Sequence, residues 1–499
     1  MFHAYSQVFD NTYQKVTTTE SVNGVQISAA LVLRRYNTAI WIDENPRVEK
    51  AFAISKAQER NYSSAHDSGS CMHHASQLKR RSKIQPVRSI SSDIPLVGFK
   101  DPIILSFLAY KLAQGGGQLL RTESADKSTW VSRVSDSSKN TLNALASIIF
   151  GHVHRCSRMV EEGRKYYSKA VSDVRINLLD NAKMNLFDTL ASVTVLCMYE
   201  IADRRSEIAW RYHADGLSTL IECSGPTLFQ QYPFKSIFLE QRALMVSKAI
   251  FAGHGTFLSQ WIWKNVPWEN DLTSKEPLDY LFDILCDITM YLEESRKQAG
   301  VKPVPSAELE AKVLASLQQL DTWWKYWIRL NPYPCREFAI DSDSTLYTKD
   351  AEGVIFPTIL VYNGLNTAYT LCTYNATRML LLKLQETFPR SHAHPTGFES
   401  PNDPHSQVPL LGLSSDYQGL AYEIFRSAEY LHVESDQFMV SFTSMFIFDI
   451  AYSALDPKSR EAKWLLSKVS LPMRSMHGKG ETFAKAITVL PTCQLLQPL

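Results

Sequence analysis

No two of the eight cysteines in this 499-residue sequence stand close enough to form a C-x2-C pair; they fall at positions 71, 156, 197, 223, 286, 335, 372 and 493. That spacing suggests neither a zinc module nor a thioredoxin-like redox site. Cys197, Cys286 and Cys372 sit inside apolar runs, where a reduced thiol behaves as a small hydrophobe, so a reducing compartment is expected. Charge imbalance is missing too. With 52 basic and 51 acidic side chains, the chain has no global attraction for nucleic acid or an anionic membrane, and any such contact must be local. No apolar run approaches the roughly 20 residues that span a bilayer, so no membrane segment is expected. The opening MFHAYSQVFDNTYQK lacks a basic start followed by an apolar core, so secretion is not expected, and the sequons at Asn61 and Asn375 lose their relevance. Few segments alternate with a strand's period of two, and nothing repeats at a fixed interval.

What remains is helical periodicity. It is clearest from Leu186 to Phe229, where Leu186, Leu190, Val193, Cys197 and Ile201 recur at three- and four-residue steps on one helix face. A polar break, ADRRSE, separates them from a second run, Ile208, Trp210, Leu217, Leu220 and Ile221, which stops at Gly225-Pro226. This predicts a helical hairpin with a short charged loop. Further helices are predicted near 101–114, 138–153, 159–180, 234–252, 278–294, 308–330, 355–388, 414–434, 437–455 and 458–478. In the 308–330 helix, Leu314, Leu317, Leu320, Trp324 and Trp327 are expected on one side. Residues 331–353 and 389–412 read as loops, the first with an extended piece.

The front of the chain differs. Residues 1–40 form an atypical arm, 41–60 hold a short helix and 61–98 a Ser-rich linker in which Lys79, Arg80, Arg81, Lys83 and Arg88 cluster. Such a run is either a solvated linker charge cluster or a nuclear-import or phosphate-contact patch. The fold class expected is all-α: a large multi-helix domain of stacked helical hairpins over 99–490, behind a poorly ordered N-terminal arm and before a tail at 491–499.

No catalytic constellation emerges. Gly115-Gly116-Gly117 has no strand before it and no Lys-Ser/Thr after it, so it reads as a helix stop rather than a phosphate loop. His152 and His154 stand two apart, on different faces of a helix. Cys71, His73 and His74 lie in the linker without further ligands. Ser224-Gly225 lacks the strand and first glycine of a nucleophile elbow. His254, between Gly253 and Gly255, would serve an enzyme only if it lined a cleft beside Trp261, Trp263 and Trp268. Those tryptophans, with Trp323, Trp324 and Trp327, read first as core and second as the lining of a cavity for a small effector. No metal, cofactor or catalytic residue is assigned.

The Leu186–Phe229 stretch resembles the regulatory (middle-homology) domain of fungal binuclear-zinc-cluster transcription factors. Met198-Tyr199-Glu200, then Ser206, Glu207 and Trp210, then His213 to Gly216 leading into Gly225-Pro226, are similar to that family's central segment. SQWIWKNVPW, ending at Trp268, looks like its Val-Pro-Trp step; Tyr374 to Leu381 and Glu423 to Leu431 resemble two later helices. The resemblance spans roughly 138–490. It implies an all-helical, nuclear, non-enzymatic protein that regulates transcription, in a metabolic or secondary-metabolite pathway for example. In front, Ile42 to Asn45, Arg47-Val48 and Lys56-Ala57 look like the segment that follows the family's six-cysteine cluster, yet no cysteine precedes Cys71. The resemblance therefore implies a regulator lacking its zinc DNA-binding module, or a chain whose first 38 residues do not belong to it. As partners it implies a homodimer, or a heterodimer with an intact zinc-cluster factor, and a small-molecule effector, with DNA contact weak or indirect. Against this stand an all-helical enzyme and a non-regulatory interaction module.

Overall fold

The computed structural model describes residues 100–115, 134–135, 138–179, 185–203, 205, 209–299, 306–340, 349–350, 352–388, 417–434 and 446–468. Of these, 79% are helical, so the chain is all-α as its periodicity predicts. The expectations for residues 1–99, Gly116-Gly117, Arg204 and 206–208 in the hairpin, 389–412, the parts of the two last helices at 437–445 and 469–478, and the tail lie outside the described residues.

Helix α1 (Lys100–Gly115) lies against α2 (Lys139–Val153), which forms the most extensive contact of the fold with α3 (Ser157–Leu179). Two glycines set that closeness. A Cβ on Gly163 would stand 3.0 Å from the Ile148 nitrogen and 3.2 Å from the Ala144 carbonyl oxygen. On Gly151 it would stand 2.7 Å from Val160 Cγ2 and 2.8 Å from the Val160 nitrogen. Because the second obstacle is backbone, Gly151→Ala is expected to lose about 1–2 kcal/mol, overpacking outweighing the better helix propensity. A urea titration showing an equal or higher midpoint for the variant would refute this.

The predicted hairpin is α4 (Leu186–Asp203) and α5 (Ala209–Ser224), with Gly225 at φ 74° and Pro226 opening a short 3-10 turn. Asn185 starts α4 by accepting from the Asp188 N–H at 3.3 Å, and its amide donates to Asp188 Oδ2 at 2.8 Å. One finding departs from the amphipathic reading: every residue of α4 from Phe187 to Asp203 is buried. The helix is packed by α2, α3, α5 and α6 (Phe234–Ala252) together, as befits a mostly apolar helix whose Asp188 and Asp203 carboxylates find partners on neighbouring segments.

Beyond α6 come the short α7 (Trp261–Asn265), then α8 (Pro277–Ala299) and α9 (Ala307–Leu330), a second antiparallel pair. Ser306 caps α9 by accepting from the Leu309 N–H at 3.2 Å. The buried seam of α9 is Leu309, Val313, Ser316, Leu320, Trp323, Trp324 and Trp327, whereas Leu314 is exposed. The expected stripe was thus misplaced at its start, because the i, i+4, i+7 seam begins at Leu309.

The largest correction concerns 355–388. Instead of one helix there is a strand, β4 (Thr358–Tyr362), followed by α10 (Leu365–Gln385). Pro357 before it, Gly364 after it and the β-branched Thr358, Ile359 and Val361 explain the switch. β4 pairs antiparallel with β1 (Cys335–Ala339), and β2 (Lys349–Asp350) pairs with β3 (Gly353–Val354). The helix expected over 414–434 is two, α11 (Tyr417–Arg426) and α12 (Ala428–Glu434), broken where the Ser427 hydroxyl folds back on the Glu423 carbonyl at 2.7 Å. A helical stretch at 446–452 and α13 (Arg460–Lys468) complete the described chain.

Candidate functional site

The family-like residues converge on three junctions between helices. At the first, Tyr167 on α3 stacks on Tyr199 on α4, with centroids 4.3 Å apart, and its hydroxyl lies 3.0 Å from Nε2 of His213 on α5. Arg164, one turn before Tyr167, reaches Asp203 at 3.3 Å, and Arg205 reaches the same carboxylate at 2.5 Å. Burial holds the His213 imidazole down at about 4 and pushes the Tyr199 phenol up. Both groups are therefore neutral near pH 7. Trp210, at the start of α5, meets Phe251 of α6 edge-on, and Arg211 lies over both rings.

At the second junction, Arg242 of α6 is 1% exposed and bridges two carboxylates of α8. Its guanidinium donates to Asp279 Oδ1 at 3.2 Å and to Asp283 Oδ1 at 2.6 Å, while Lys275 donates to Asp283 Oδ2 at 2.6 Å. Arg242 also lies 5.2 Å from the centroid of the fully buried Trp268, with Lys275 at 4.8 Å. So the Val-Pro-Trp step supplies a buried ring close to cations that are themselves paired with carboxylates.

At the third, Trp323 stacks on Trp327 with centroids 5.7 Å apart, and Tyr374 of α10 packs on Trp323 and Trp324 at 5.5 and 4.8 Å. Arg378 ties α10 to α9 through Asp321 at 2.6 Å, and Asn375 donates to Glu423 of α11 at 2.9 Å. Tyr362 of β4 meets the Ser427 hydroxyl at the break between α11 and α12.

Trp263, Trp268, Trp323, Trp324 and Trp327 are thus core, as their first reading expects; Trp261 is 71% exposed. His254 is exposed in the turn after α6, whereas Trp263 and Trp268 are buried in the core. His152 and His154 are exposed as well, and His154 packs on Phe150. Ser224 spends its hydroxyl on the Leu220 carbonyl at 2.6 Å. Burial pushes the thiols of Cys286, Cys335 and Cys372 up to about 12 and that of Cys197 well above its usual value, the reverse of what a nucleophile needs. Among the described residues no His, Cys, Asp and Glu side chains group as metal ligands, and no helix is long and apolar enough to cross a membrane. Lys79, Arg80, Arg81, Lys83, Arg88, Cys71, His73 and His74 lie outside the described residues. What the junctions can do is lock helices in register and pass a displacement of one helix to the next.

Sequence reasoning missed Arg242 and its partners. A signal was present: Asp279, Asp283 and Asp287 recur at four-residue steps and so share one face of α8. Tyr167 and Arg164 carried no comparable signal, since their partners sit on other helices.

Residues 118–286 match the fungal specific transcription factor domain, a span that contains the residues named at the first and second junctions. The chain is also similar to an uncharacterized protein of Emericella nidulans, 28% identical over 124 residues, which is 25% of this chain and 26% of that protein. The match thus spans about a quarter of the relative's length. No solved structure matches the chain.

Proposed function

We propose that this chain is a transcription regulator of the nucleus whose helical body, 99–490, is the regulatory domain. The observation that supports it most is the match of 118–286 to the fungal specific transcription factor domain, with the residues that carry the resemblance doing the helix locking. It is not an enzyme on this reading. It acts on expression of a metabolic pathway by pairing with a second copy or an intact zinc-cluster factor, or by binding a small effector. On this reading its DNA contact is weak or indirect. Lys79, Arg80, Arg81, Lys83 and Arg88 form the import or phosphate-contact patch.

The test is a tagged chain fused to a DNA-binding module of known target. Nuclear signal and a severalfold change at the tethered reporter are expected, and the signal is expected to leave the nucleus when the five basic residues are replaced by Ala. Cytosolic signal with an unchanged reporter would overturn the reading.

A further inference from the structure

Helix α9 packs on α8 and α10 through the seam that holds Trp323, Trp324 and Trp327, and it leaves its opposite face in solvent. There Ala311, Ala315, Gln318, Thr322, Tyr326 and Arg329 recur at three- and four-residue steps, all of them exposed. Leu314 and Leu330 flank that row, 38% and 58% exposed, and Tyr326 is 60% exposed. A helix side that meets only water is ordinarily charged, yet in this row only Arg329 carries a charge. The row also has a direction. Its first half is small, Ala311 and Ala315, and its second half is bulky, Tyr326 and Arg329. Charge follows the same order, with Glu308 and Glu310 in the first turn of the helix and Arg329 in the last. Lys312, near the acidic end, is already held by Glu294 and Glu308.

We propose that this face of α9 docks antiparallel on α9 of a second copy about a two-fold axis at Thr322. Ala315 then lies across from Arg329 of the second copy and Gln318 across from Tyr326, each pair twice by symmetry, while Thr322 meets its own copy. Small residues thus receive large ones, and no like charges stand opposite. The acidic first turn of each copy points toward the basic last turn of the other, and the two helix dipoles run in opposite directions. A parallel arrangement would instead set Tyr326 against Tyr326 and Arg329 against Arg329. Another protein's helix must bring the same small-to-large order in reverse, whereas a second copy brings it by symmetry. The pairing deepens the self-association named above and rests on that reading. A single pair of helices covers less area than a standard interface, so the dimer dissociates in the micromolar range.

Sedimentation equilibrium of the purified full chain tests this. A monomer–dimer equilibrium in the micromolar range is expected. Ala315→Arg sets like charges across the axis at both ends and is expected to weaken the dimer at least about tenfold. Its circular dichroism spectrum is expected to stay unchanged, since Ala and Arg are both strong helix formers and the position is exposed. Adding Arg329→Glu to that variant turns each repulsion into an ion pair and is expected to restore the dimer. A chain monomeric throughout that range would overturn the pairing and leave the face to another protein's helix. A dimer that Ala315→Arg does not weaken, or that Arg329→Glu does not restore, would overturn it as well. None of these results bears on the tethered reporter, so the regulatory reading stands or falls separately.

Discussion

Replacing Arg242 by Ala is expected to lower the unfolding free energy by about 3–5 kcal/mol. The guanidinium is buried between α6 and α8, and burial by itself opposes its charge; Asp283, Cys286 and Asp279 outweigh that and hold its pKa above the ordinary value. Deleting it leaves Asp279 and half of Asp283 without their cation and a void beside Trp268, Phe238 and Phe282. Lysine would keep the charge but not the fork that reaches two carboxylates, so Arg242→Lys is expected to recover only part of the loss. Urea denaturation followed by tryptophan fluorescence reads both variants. A loss under about 1 kcal/mol for the alanine variant would mean that water or rearranged side chains replace the guanidinium.

Acidification supplies the second large effect. His213 has a folded pKa of about 4, against an unfolded value of about 6.5. Between those values the unfolded chain binds the proton and the folded chain does not, so stability falls as pH drops through the window. Above about pH 6.5 the group contributes no slope. At the acid end the penalty approaches about 3 kcal/mol, from roughly 2.5 pKa units at 1.36 kcal/mol each. Carboxylates also lose their pairing as pH falls, so the comparison must be differential. His213→Gln keeps a polar contact for the Tyr167 hydroxyl and cannot titrate. Its stability is expected to decline less than the wild type's between pH 6.5 and 4.5; parallel declines would show that His213 does not carry the slope.

Period and punctuation made the helices legible. Gly225-Pro226 and Gly253 mark ends that the backbone honours with φ of 74° and 66°. The hairpin's Tyr199, Trp210 and His213 were legible through the family-like segment that holds them. Their partners were not: Tyr167 and Arg164 belong to a neighbouring helix, and pairing between helices leaves no trace in local periodicity. The 355–388 error has a similar root. A short apolar run such as TILVY, 358–362, cannot be assigned to helix or strand by its period alone, and the pairing of β4 with β1 decided between them. Complete burial of α4 likewise follows from four neighbours that one-face periodicity does not report.

The regulatory role is tested most directly by transcript profiling of cells that lack this chain, with the chain restored as control. The account predicts a coherent set of transcripts, drawn from one pathway, that shifts severalfold on deletion and returns on restoration. An unchanged transcript profile under every growth condition in which the chain is present in the nucleus would contradict it.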